Sequence, residues 1–100
     1  MTRNAVVQRF GTPHETIGSV NEPREMEEHG HRFNEKWIYR LEQPRPEEPA
    51  QRWVYWLRYD FVASYLIGGS GELRREDLGA VLGGVDDRRF RAGAPERRER

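Results

Sequence analysis

Gln51-Arg52-Trp53-Val54-Tyr55-Trp56-Leu57-Arg58-Tyr59-Asp60-Phe61-Val62 decides how this chain folds. Its odd positions, Trp53, Tyr55, Leu57, Tyr59 and Phe61, form an unbroken apolar row. Its even positions, Val54, Trp56, Arg58, Asp60 and Val62, are mixed. A period of two with aromatic and β-branched enrichment predicts a strand with one face buried. Upstream, Phe33 to Glu42 has the same period, with Trp37, Tyr39 and Leu41 on one face and Ile38, Arg40 and Glu42 on the other. Between the two runs lies Gln43-Pro44-Arg45-Pro46-Glu47-Glu48-Pro49-Ala50, whose prolines cannot donate to a ladder. Two long strands around such a loop predict an antiparallel hairpin.

The rest of the chain is read outward from this hairpin. Ala5–Phe10 reads as a short strand closed by the turn Gly11-Thr12-Pro13, and Thr16–Val20 as a second, weak one. Asn21–Gly30 reads as a short helix or helical turn, with Asn21 as cap, Pro23 in the first turn and Gly30 as stop. After Asp60, Phe61–Ile67 continues apolar, either bending as a strand or turning into another one, until Gly68-Gly69-Ser70-Gly71 breaks it. A short helix is expected around Arg75–Leu82, where Leu78, Val81 and Leu82 have helical spacing. From Val85 the chain is charged and nearly devoid of apolar residues, the composition of a disordered tail over 85–100.

The expected fold is therefore mainly β: a small bent antiparallel sheet or SH3-like barrel with one or two short helices. Residues 1–84 form the single domain. A rival α+β architecture would make 61–82 one longer helix broken at Gly68–Gly71.

Composition narrows the function classes. Leu, Ile, Val and Phe total 20 of 100 residues, so the core is small and self-association would help it. All three Trp and all four Tyr lie between Trp37 and Tyr65, which concentrates that core in the hairpin. The net charge is zero, which gives no overall attraction to nucleic acid or anionic lipid. Glutamates surround both hairpin strands, so nucleic acid ranks last as a partner despite the interleaved aromatics and arginines. The absence of Cys excludes disulfides, thiolate metal sites and a Cys nucleophile. Neither a signal-type apolar segment nor a membrane-length run is present, and a cytoplasmic location is expected.

No motif carries a reaction. Gly69-Ser70-Gly71 sits where a phosphate loop would, but position 74 is Arg rather than Gly, and Glu72, Glu76 and Asp77 would repel a phosphate. A connecting loop is the simpler reading. His29 and His31, two apart, are the weak metal candidates, with Glu27, Glu28 or His14 as a third ligand. Their spacing matches no zinc pattern, so neither a metal nor a cofactor is expected.

What calls for a reason is the aromatic on the mixed row. Ile38, Arg40, Val54, Trp56, Arg58 and Asp60 are taken to share the outer face of the hairpin, with Trp56 as anchor. A face of this kind fits a non-catalytic interaction module or accessory subunit, pairing with a protein partner or with itself as a homodimer. The alternative is a small-molecule protein or enzyme with a pocket beside Arg58 and Asp60 that also uses a His.

Overall fold

The computed structural model describes residues 1–83. The expectation for 85–100 lies outside them. The described chain is mainly β, as its patterning predicts. It runs α1 (Arg3–Phe10), β1 (Glu15–Gly18), β2 (Met26–Glu28), β3 (His31–Phe33), β4 (Glu35–Arg40), β5 (Gln51–Leu57), β6 (Asp60–Ile67), β7 (Leu73–Arg75) and α2 (Leu78–Leu82). One antiparallel sheet has the order β1-β4-β5-β6-β7, so it is open, with β1 and β7 as edges. The central hairpin is β4–β5, paired from Glu35↔Trp56 to Arg40↔Gln51. The strands β2 and β3 form a separate two-stranded ribbon.

Three local expectations give way. Ala5–Phe10 lies in a helix, because Thr2 caps it by accepting from the Ala5 N–H at 3.1 Å. Helical spacing then gathers Val6, Val7 and Phe10 against the core. Residues 21–30 contain no helix: Met26–Glu28 pairs with His31–Phe33, and His29-Gly30 is the turn between them. Both turn residues have positive φ, 54° and 80°, the geometry whose twist suits a two-residue hairpin loop. Residues 60–67 are strand, so no long helix covers 61–82.

The largest difference lies in the run that decided the fold. It is not one strand but two, β5 and β6, turning at Arg58-Tyr59 with Leu57 opposite Asp60. A bulge follows: Tyr55 faces Ala63 while Trp56 faces Phe61, leaving Val62 as the extra residue. The bulge resets the alternation and brings Phe61 edge-on to Trp56, centroids 5.9 Å apart.

Both faces of the sheet are covered. On one, α1 and α2 bury Trp37, Tyr39, Val54 and Trp56 together with Val6 and Leu78. On the other, Phe33 of the β2–β3 ribbon packs with Tyr55, Ala63, Tyr65 and Ile67. Polar groups lock each cover in place. On the helical side, Arg52 reaches both carboxylate oxygens of Glu76, the shortest contact being 2.7 Å, and Ser64 Oγ donates to the same carboxylate at 2.9 Å. Also on that side, Arg3 pairs with Glu35 at 2.6 Å, off the N–H axis, with its guanidinium over Trp37 and Trp56. On the ribbon side, Glu28 Oε1 accepts from Lys36 Nζ at 3.0 Å and from the Tyr55 hydroxyl at 2.8 Å.

Candidate protein-interaction site

The register separates the residues expected to share one face. Ile38 lies opposite Trp53, and Arg40 opposite Gln51, so both belong to the ribbon side. Val54 lies opposite Trp37, and Trp56 opposite Glu35, so both belong to the helical side. There Val54 and Trp56 are each 0% exposed. Trp56 is thus not an anchor awaiting a partner: the protein's own helices cover it. Its aromatic character on the mixed row reflects a sheet buried on both faces. Ile38 is half-buried and Arg40 exposed, its backbone N–H donating to His14 Nδ1 at 3.0 Å.

Arg58 and Asp60 do not project from one strand face. They flank the tip of the β5–β6 turn, and between them stands Tyr59, 70% exposed. Tyr59 is the most exposed of the large apolar side chains among the described residues. Its turn is rigidly held. Arg58 has φ 59°, a conformation that costs a non-glycine residue about 1 kcal/mol or more. Asn34, 0% exposed, fixes it: Oδ1 accepts from the Arg58 backbone N–H at 2.8 Å. Its Nδ2 donates to the carbonyls of Val20 and Glu22, at 3.3 and 3.0 Å. Arg58 Nη1 donates to the Glu22 carbonyl as well, at 2.6 Å. Gly18 completes the clamp, since any Cβ there would lie 2.1 Å from the Asn34 carbonyl oxygen. One buried amide therefore ties the β5–β6 turn to the loop after β1.

Beside the turn, on the helical side, lies an open cleft of about 490 Å³ lined by Met1, Phe61, Arg75, Glu76, Asp77, Leu78 and Gly79. Arg58, Asp60 and the histidines do not line it. Its buried acid, Glu76, is already engaged by Arg52 and Ser64.

The two candidate metal ligands are held by aromatics. His31 Nε2 and the Tyr65 hydroxyl are 2.8 Å apart, and the His29 ring lies 5.4 Å from that of Tyr65. Among the described residues no group of three or more His, Cys, Asp or Glu side chains could hold a metal ion.

Titration shifts mark the covers. Burial pushes the Tyr39 hydroxyl up to about 12, against the opposing charge of Arg52. Burial raises Tyr55 further, assisted by its bond to Glu28 and the Glu28 and Tyr65 charges. For Glu28, burial favours the neutral acid, but hydrogen bonds from Tyr55 and Lys36 with the charges of Lys36 and His29 hold its pKa below the ordinary value.

Tyr59 is the residue that sequence reasoning misses, because the unbroken alternation assigns it to the buried row. Met1, Phe61 and Leu78 of the cleft are missed as well, since α1 and the bulge bring them together. No protein-family model, no curated protein and no solved structure matches this chain. Among the described residues no helix is long and apolar enough to cross a membrane.

Proposed function

We propose that this protein is a non-catalytic protein-interaction module whose docking anchor is the β5–β6 tip, Arg58-Tyr59-Asp60. The observation that supports this reading is a 70% exposed tyrosine on a turn whose backbone a buried amide pins. Tyr and Arg dominate the few residues that carry binding energy at interfaces. A turn held in its bound shape before the encounter loses little entropy on docking. Two of the residues expected from sequence, Arg58 and Asp60, keep their place in this reading. The anchor moves from Trp56 to Tyr59, and Ile38, Arg40 and Val54 leave the contact set.

The test is site-specific photocrosslinking. A benzophenone side chain at position 59 should give one defined adduct in cells, with a homodimer or a protein partner. The same group at exposed Arg32, on the far ribbon, should give none. Equal crosslinking at both positions would remove the tip as an anchor.

A further inference from the structure

Resting on that reading, we infer that the occupant of the tip is a second copy of this chain, with each Tyr59 seated in the partner's cleft between Phe61 and Leu78. Knob and hole lie at the same end of the molecule: Tyr59 is two residues from Phe61, which forms the cleft wall. One two-fold rotation can therefore make both insertions at once, the closed arrangement expected of an isologous dimer. The cleft, about 490 Å³ and apolar at Met1, Phe61 and Leu78, has room for a phenol ring and its flanking atoms.

The charges match in the same sense. Tyr59 is flanked by one cation, Arg58, and one anion, Asp60; the cleft carries one exposed cation, Arg75, and one exposed anion, Asp77. Reciprocal insertion can set Arg58 near the partner's Asp77 and Asp60 near the partner's Arg75. Among the described residues neither Asp60 nor Arg75 has an ion-pair partner within the chain, although the Arg75 guanidinium lies 5.8 Å from the Tyr65 ring centroid. The zero net charge of the whole chain removes the repulsion that would oppose two copies meeting.

Sedimentation velocity of the purified full chain, from micromolar to millimolar concentration, tests this. Wild type should show a concentration-dependent monomer–dimer equilibrium, and Tyr59→Ala should weaken it about 30-fold. Gly79→Phe should do the same by filling the cleft. A Cβ at Gly79 meets nothing closer than 3.6 Å, and circular dichroism of both variants verifies that they fold. Mixing is the sharper step. A heterodimer of Tyr59→Ala with Gly79→Phe regains one insertion, the Tyr59 of the second in the open cleft of the first. The mixture should associate where neither variant does alone. A monomeric wild type, a Tyr59→Ala chain that dimerises like wild type, or a mixture no better than its components would overturn the inference. A monomeric wild type whose position 59 still crosslinks another protein in cells would refute only the second copy and leave the docking reading intact.

Discussion

Two two-residue turns, His29-Gly30 and Arg58-Tyr59, share a positive φ at their first residue and differ in what they do with their side chains. The first folds back on the sheet: the His29 ring lies 5.4 Å from Tyr65 and 6.5 Å from Trp53, and His31 beside it bonds to Tyr65. The second stands clear, with Tyr59 in solvent and only the backbone and Arg58 tied down. The first turn has a second positive φ, taken by Gly30, whereas the second has one, at Arg58, whose backbone N–H Asn34 holds. A turn that packs its own side chains is cover for a core. The other turn is pinned from beneath and leaves its aromatic outside.

The comparison can be broken in graded steps. Glu28→Ala should cost most, about 3 kcal/mol in denaturant unfolding, because, although Glu28 itself is 41% exposed, the 8% exposed Lys36 ammonium and the Tyr55 hydroxyl both lose their shared acceptor. Asn34→Ala should follow at about 2 kcal/mol, since three hydrogen bonds to the β5–β6 turn and its neighbouring loop are lost. Amide exchange should then speed up at Arg58 but not at the ribbon. Gly30→Ala should cost about 1 kcal/mol from backbone conformation alone, as no atom lies within 4 Å of the added Cβ.

Acid should act on the ribbon through Glu28. The folded Glu28 pKa lies below its ordinary 4.5, so its contribution is present above that pH and is lost as pH falls through the folded value. Thermal melts of wild type should therefore drop below about pH 4.5 more steeply than those of Glu28→Gln. Smallest of all, Tyr59→Ala should change folding stability by no more than about 0.5 kcal/mol. A larger loss would mean that the tip supports the fold, and the contrast between the two turns would fall.

The hairpin of β4 and β5 was legible because Trp37, Tyr39, Trp53 and Tyr55 alternate with other residues on either side of a proline-rich loop. The α2 helix was legible from the spacing of Leu78, Val81 and Leu82. The β5–β6 turn was hidden for a physical reason: Arg58-Tyr59 contains none of the glycine or asparagine that usually announces such a turn. Its conformation is enforced by Asn34, which is 24 residues away in sequence and leaves no local trace. The ribbon is missed because Asn21, Pro23 and Gly30 stand where helix-end signals stand, whereas Glu28 is needed on a strand as the acceptor for Lys36 and Tyr55. The candidate face dissolved because register, not alternation within one strand, decides which residues of two strands share a side. A row that looked too aromatic for solvent was indeed covered, by α1 and α2 of the same chain.

Lys36 carries the only ε-amine in the sequence, and the folded chain holds it under the ribbon, between Glu28 and the face of Trp53, 3.7 Å from that ring's centroid. An amine-acylating reagent can reach it only when the ribbon lifts. The rate of acylation at this one position is therefore a clock for that opening, readable by mass and needing no engineered probe.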